Sequence, residues 1–128
     1  ITETAVIGDL TAAGRTLARI RALGVCVALD DFGTGFSSLS LVRSLPLTRI
    51  KIDRSFVADI DGSNCSIAII EAVVVLCRGL QLTATAEGVE TAQQRDVLAS
   101  CGCTHMQGYL YGRPADIANW RHLTTAAA

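Results

Sequence analysis

The sequence has little of the features that mark specialised kinds of protein. Its 128 residues include only two prolines and 5% aromatic residues, and the formal net charge is −1. A charge this close to zero gives no electrostatic reason to expect a nucleic-acid polymer or an anionic membrane surface as a partner. No apolar run is long enough to span a bilayer and no secretory signal pattern is found, so no membrane contact is expected from this segment.

The five cysteines also lack the spacing of a disulfide framework. Their number is odd, and the closest pair, Cys101 and Cys103, matches neither a zinc motif nor a thioredoxin-type motif. Reduced and mostly packed thiols are expected, which is typical of cytoplasmic proteins. The expected location is therefore the cytoplasm.

The chain does have the apolar content of an ordinary globular domain, since 50% of its residues are hydrophobic. Short apolar runs alternate with helical periodicities, which predicts a parallel α/β fold with helices covering the sheet. The strands are predicted at 25–29, 48–53, 82–86 and 103–109, and they are apolar on both faces. Helices are predicted from a cap at Asp9 or Thr11 to Gly24, from Ser37 or Ser38 to Leu45, from Ser63 or Asn64 to Gly79, from Thr91 to Ser100, and from Asp116 to His122.

Two adjacent acids, Asp30 and Asp31, follow the first predicted strand and precede a loop with Gly33 and Gly35. Because neighbouring strand residues point to opposite faces, both carboxylates can converge on one site only where the strand frays into a loop. Hard divalent cations favour carboxylate oxygens, so the pair is a candidate metal site. A polar turn is the alternative, because acids and glycines are also the usual turn residues.

Polar residues also follow the other predicted strands. Lys51 and Asp53 lie at the end of the second, Glu87 and Glu90 follow the third, and Gln107 is late in the fourth. Ligands of parallel α/β folds bind at the carboxyl ends of the strands. The pattern therefore predicts a metal-assisted site with a lysine as a cationic helper.

Four segments of the chain form a pattern, and they are Asp-Asp-Phe-Gly-Thr-Gly-Phe-Ser-Ser-Leu (30–39), Ile-Lys-Ile-Asp-Arg-Ser-Phe-Val (50–57), Ala-Glu-Gly-Val-Glu-Thr (86–91) and Gln-Gly-Tyr-Leu-Tyr-Gly-Arg-Pro (107–114). In order and spacing these segments closely resemble the second half of the EAL domain, a family of cyclic di-GMP phosphodiesterases. The resemblance implies a TIM-type (β/α) barrel, of which residues 1–123 would form about half, with four parallel strands and their helices, followed by a disordered tail at 124–128. The Glu-Ala-Leu signature is absent, so the chain is expected to be poorly active alone.

The resemblance also implies a reaction and roles for particular residues. The reaction is hydrolysis of cyclic di-GMP to linear pGpG with two Mg²⁺ or Mn²⁺ ions, and Ca²⁺ inhibits it. Asp30, Asp31 and Glu87 would ligate metal. Lys51 would position the attacking water, and Glu87 would contact a metal or its water. The remaining implied roles are substrate binding by Gln107 and Asp53, and the loop with its support formed by Phe32, Gly33, Thr34, Gly35 and Glu90.

Several of these residues have an alternative interpretation. Lys51 can be a strand-end lysine that snorkels to solvent, Glu90 can serve a helix N-terminus, and Gln107 can be a satisfied amide. Tyr109 and Trp120 are expected to be packing groups. The parent domain can be an active phosphodiesterase in bacterial signalling or an inactive cyclic di-GMP receptor or interaction module.

The resemblance and the fold together predict the partners. They are cyclic di-GMP, upstream sensor or GGDEF domains in a longer protein, and a second copy of the chain. A half barrel would expose two strand edges and an open apolar interior, and such surfaces favour self-association.

Overall fold

A computed structural model describes residues 1–2, 4–6, 8–33, 39–116 and 118 of the chain. These residues form a four-stranded parallel sheet whose strands lie side by side in chain order. The helices are α1 (Leu10–Ala22), α2 (Leu39–Ser44), α3 (Arg54–Ala58), α4 (Asn64–Gly79) and α5 (Ala92–Ser100), with a 3₁₀ helix at Thr4–Val6. The strands are β1 (Ala28–Phe32), β2 (Arg49–Ile52), β3 (Thr83–Ala86) and β4 (His105–Met106).

The helix ends follow local capping chemistry, which confirms several predicted boundaries. The Asp9 carboxylate accepts a hydrogen bond from a backbone N–H in the first turn of α1, and Gly24 follows that helix at φ +82°. Ser63 caps α4 in the same way. Thr91 and Gln94 form a reciprocal capping box at the start of α5.

One face of the sheet is apolar and packs against the helices. Helix α4 lies on β2 and β3. Ile70 of α4 and Leu98 of α5 are fully buried. Burial of such aliphatic side chains contributes about 1.5–3 kcal/mol each. The strand residues that are fully buried are Leu29, Ile50, Ile52 and Ala86.

The opposite face of the sheet is polar. The register pairs Arg49 with Thr83 and Lys51 with Thr85, and Thr85 in turn pairs with His105. Because side chains alternate along a strand, these five residues share the face opposite the buried isoleucines. The prediction that the strands are apolar on both faces is therefore wrong, and so is the expected apolar interior.

The first strand begins and ends later than predicted. It spans Ala28–Phe32 rather than 25–29, and Val25 lies before it with half of its surface exposed. The two acids are therefore residues of the strand and not of the loop that follows it. A parallel bridge between Thr2 and Asp30 adds the chain start to this side of β1.

Two other elements also differ from prediction. β4 covers only His105–Met106, because the chain turns at Gly108 to bond with the segment after β3. Helix α3 was not predicted. Its N-cap is Asp53, which accepts a hydrogen bond from the Ser55 N–H at 2.9 Å.

Some predictions fall outside the described residues. They are the start of α2 at Ser37 or Ser38, most of the helix predicted from Asp116 to His122, and the tail at 124–128. None of the described helices combines the length and the apolar character needed to cross a bilayer.

Candidate active site

A β-bulge in β1 brings the two adjacent acids together. Leu29 pairs with Ile50, but the next pair is Phe32 with Ile52, so β1 holds one residue more than β2 between the pairs. Asp31 adopts a left-handed backbone at φ +56°. The bulge brings the side chains of both acids to one site. The strand therefore does not have to fray into a loop for the two carboxylates to converge. Strained conformations of this kind are concentrated at functional sites.

Four side chains from the four strand ends form one hydrogen-bonded chain. Lys51 Nζ lies 2.8 Å from Asp30 Oδ1 and 2.5 Å from Glu87 Oε1. Gln107 Nε2 donates to the same Glu87 oxygen at 2.5 Å. The predicted convergence of acid, lysine, acid and amide at the carboxyl ends of the strands is therefore present in the structure.

The pKa values of the two acids in this hydrogen-bonded chain shift in opposite directions. The hydrogen bond from Lys51 lowers the pKa of Asp30. Burial raises the pKa of Glu87 although the same ammonium contacts it, because only 15% of its side chain is exposed against 35% for Asp30 and because the Asp30 charge lies nearby. Burial opposes the charge on Lys51, but the two carboxylates outweigh burial and raise its pKa. Lys51 is therefore a cation at neutral pH.

A backbone clasp between two loops holds Glu87 and Gln107 in place. The Val89 N–H donates to the Gln107 carbonyl at 3.1 Å, and the Val89 carbonyl accepts from the Leu110 N–H at 3.0 Å. A Cβ at Gly108 would collide with the backbone of Val89. Only glycine permits this close approach, so Gly108 fixes the loop after β4 against the loop after β3.

A cavity of about 690 Å³ opens beside the hydrogen-bonded chain of side chains. Of the residues predicted for the site, Asp31, Asp53, Glu87, Glu90 and Gln107 line it. Its other lining residues are Arg54, Gly88, Gly108, Tyr109, Gly112 and Pro114. The volume and the mixed polar lining suit a small-molecule ligand.

The predicted loop and its support are only partly described. Phe32 is buried in the core, and Gly33 is at φ +102° with the Phe56 ring packed against it. Thr34 and Gly35 lie outside the described residues.

Asp53 has a local partner as well as a place in the cavity wall. Burial disfavours its charge, but hydrogen bonds from Ser55 outweigh burial and lower its pKa. The carboxylate therefore serves as the cap of α3 in this structure, and its predicted contact with substrate stays a prediction.

Sequence reasoning missed two residues that line the cavity, Arg54 and Tyr109, and a third, Arg113, that stacks on one of them. Arg54 lines the wall and packs closely against Gly88. Tyr109 was predicted to be a packing group, which is wrong, because it is 50% exposed and lines the cavity. The Arg113 guanidinium stacks over the Tyr109 ring at 4.3 Å. All three residues lie inside the four segments that resemble the EAL domain. Their place in those segments was the signal that could have identified them.

The donor set fits a hard divalent cation. Asp30, Asp31 and Glu87 each offer a carboxylate oxygen, and these atoms lie within 4.8 Å of one another. Oxygen donors at this spacing suit Mg²⁺ or Mn²⁺.

A family model and individual relatives both match the sequence of this chain. The sequence model of the EAL domain matches residues 1–114. An uncharacterised signalling protein of Caulobacter vibrioides is 48% identical over 98% of the chain, which spans 16% of that relative. The cyclic di-GMP phosphodiesterase NbdA of Pseudomonas aeruginosa is 43% identical over 92% of the chain, which spans 15% of that relative.

Solved structures match the fold closely. PaMucR phosphodiesterase in complex with c-di-GMP superposes with a TM-score of 0.86 and 40% identity. The match covers 94% of this chain and 49% of the PaMucR chain. Klebsiella pneumoniae BlrP1 in a manganese/cy-diGMP complex superposes with a TM-score of 0.82 and 40% identity, covering 89% of this chain and 29% of its own. The partial sheet is thus part of a TIM-barrel-like fold.

Proposed function

The chain belongs to the EAL domain family, and from that premise we propose that it forms part of a domain that hydrolyses cyclic di-GMP to linear pGpG. The observation that carries the proposal is the hydrogen-bonded chain of Asp30, Lys51, Glu87 and Gln107 at one edge of a cavity. NbdA is named a cyclic di-GMP phosphodiesterase, and PaMucR was solved with c-di-GMP.

The residues divide the work by their chemistry. Asp30, Asp31 and Glu87 would hold Mg²⁺ or Mn²⁺, which supplies the positive charge that an anionic phosphodiester and its attacking water need. BlrP1 was solved in a manganese/cy-diGMP complex, which supports the use of a divalent ion in the family. That two ions bind and that Ca²⁺ inhibits stay predictions.

Lys51 and Gln107 act on the substrate side. Lys51 is a compact point charge that can contact phosphate oxygens and orient a water, but it cannot act as a metal ligand while protonated. Gln107 orients Glu87 and offers the rest of its amide to the cavity. The expected substrate contact of Asp53 and the support from Glu90 belong to this proposal, because both line the same cavity.

The test restores the upstream half of the domain and follows conversion of cyclic di-GMP to pGpG in Mg²⁺. Asp30→Asn should lower turnover by at least about 100-fold, because it removes a ligand charge at the reacting centre. Asp96→Asn is the matched control, since Asp96 is an exposed acid on α5 that pairs with the neighbouring Arg95. Equal turnover by both variants would contradict the assigned role of Asp30.

Tight binding of cyclic di-GMP without turnover would instead identify a receptor. We expect the 128-residue chain alone to be poorly active, because the Glu-Ala-Leu signature of the family is absent from it. Measurable pGpG formation by the pure chain would refute that expectation. The cytoplasmic location, the upstream sensor or GGDEF domains and the pairing of two copies stay predictions.

A further inference from the structure

The Lys51 ammonium lies inside the group of carboxylates that would hold a metal ion. It contacts one oxygen each of Asp30 and Glu87, and the contacted Glu87 oxygen also accepts from Gln107. Lys51 Nζ therefore uses oxygen atoms that belong to two of the three grouped carboxylates. The side chain is 21% exposed, so solvent screens this pair of contacts only in part.

A divalent cation and this ammonium compete for the same negative charge. Asp30, Asp31 and Glu87 carry three formal negative charges, and Lys51 already balances one of them. Two cations within a few ångströms repel each other strongly at low effective dielectric.

We propose that Lys51 is a tethered placeholder cation, which holds Asp30 and Glu87 together until a divalent ion displaces its ammonium towards the cavity. This inference rests on the metal site of the proposed function. It adds that metal loading releases Lys51, so that the ammonium becomes available to a phosphate only after the site is filled. Lys51 is then a positioning residue in the metal-free protein as well as a substrate contact in the loaded one.

Two properties of the sequence make the inference testable. Lys51 is the only lysine of the chain, so any signal from a labelled lysine reports on this one ammonium. Arg49 lies two residues earlier on the same strand and faces the same side of the sheet. It is a matched control for the loss of one positive charge.

The first experiment titrates Mn²⁺ into the 128-residue chain and measures the bound ion by electron paramagnetic resonance. Wild type, Lys51→Met and Arg49→Met are compared in about 0.3 M NaCl, where the Debye length is roughly 5 Å and distant charges are screened. Lys51→Met should bind Mn²⁺ about tenfold more tightly than wild type, and Arg49→Met no more than about twofold more tightly. Circular dichroism verifies that each variant is folded.

The second experiment needs no variant. Wild-type chain labelled with ¹³C at the lysine ε carbon is titrated with Mg²⁺, which is diamagnetic. The single Lys51 resonance should shift and saturate as the site fills. The inference would be overturned if this resonance did not shift with Mg²⁺ although the first experiment shows that the chain binds Mn²⁺.

The outcomes distinguish the placeholder role of Lys51 from the existence of the metal site. Equal or weaker Mn²⁺ binding by Lys51→Met overturns the placeholder role and leaves the metal site standing. Absence of binding by wild type and by Lys51→Met alike overturns the metal site itself, and with it this inference. Tighter binding by Lys51→Met but not by Arg49→Met supports both.

Discussion

At the scale of single residues, Thr85 is a buried polar group that the described chain does not satisfy. It is 3% exposed, and its hydroxyl has no hydrogen-bond partner among the described residues. A buried hydroxyl of this kind costs about 1–3 kcal/mol relative to one that is bonded. Thr85 lies beside Lys51 on the polar face of the sheet, which faces away from the helices of this chain.

Replacement of Thr85 by valine should therefore stabilise the chain by about 1 kcal/mol, because valine keeps the shape and removes the unpaired hydroxyl. The measurement is the free energy of unfolding from urea titration. Thr83→Val is the control, since Thr83 faces the same side but is only half buried. A loss of stability in Thr85→Val would mean that the hydroxyl has a partner in solution.

Asp53 supplies a prediction on pH. Its pKa in the folded chain is lowered below 3.8, so its stabilising effect is present above that value and is lost as the pH falls through the lowered pKa. Asp53→Ala should cost about 1 kcal/mol at pH 7, as loss of a helix cap does. The difference from wild type should shrink below pH 3.8.

Asp53→Asn serves as the control for that experiment, because asparagine can still cap a helix but does not titrate. Unfolding in urea is measured for all three proteins between neutral and acid pH. A difference between wild type and Asp53→Ala that is constant over the whole range would show that the charge of Asp53 plays no part.

Prediction from sequence succeeded where the deciding interaction is local. The cap at Thr91 was predicted, and Asp9 and Ser63 were each one of two predicted candidates, because a capping side chain and its partner lie within one turn. It failed at Asp31, because the left-handed backbone there depends on how β1 registers with β2. The helix after Asp53 was missed because that acid was assigned to the cavity alone, although it also caps α3.

At the scale of elements, the clasp between the loops after β3 and β4 decides the geometry of Glu87 and Gln107. Gly108→Ala should destabilise the chain by more than about 2 kcal/mol, since the methyl group has no space against the Val89 backbone. It should also lower turnover in the upstream-restored domain, because the amide of Gln107 moves with this loop.

Gly62→Ala is the matched control, because a Cβ there meets nothing within 4 Å. Urea titration gives the stability of each variant, and the cyclic di-GMP assay gives its turnover. Gly108→Ala with the stability of Gly62→Ala would show that the clasp is looser than the structure has it.

The clasp also explains why the fourth strand was predicted too long. Alternation along 103–109 is compatible with a strand, but the close approach of Gly108 to Val89 joins residues that are far apart in sequence. The convergence of Asp30, Lys51, Glu87 and Gln107 was nevertheless predictable, because each lies in the last residues of a strand of a parallel sheet or directly after it. Their individual partners were not, since these depend on side-chain distances.

At the scale of the whole molecule, the sheet order places β1 and β4 at its two ends. The start of the chain bridges to β1 at Thr2. β4 has a described strand partner on one side, β3. An unpaired strand edge can pair with another chain. The predicted self-association is therefore best argued from this edge, since the face once expected to be apolar carries Arg49, Lys51 and His105.

We expect the 128-residue chain to sediment as a mixture whose mean mass rises with concentration. Because backbone pairing at an edge depends little on ionic strength, added salt should not disperse the assemblies. Sedimentation velocity at low and high micromolar concentration provides the measurement. A single monomer species with cooperative unfolding would contradict it.

The strands lie in the sheet in their chain order, and this order affects how the protein folds during synthesis. Each strand pairs with the strand that precedes it in sequence, so contacts form between neighbouring βα units and contact order stays low for a parallel sheet. A chain emerging from the ribosome can add one unit at a time. Asp30 would meet Lys51 first, then Glu87, and the amide of Gln107 would arrive last, so the site is completed only when the final strand docks.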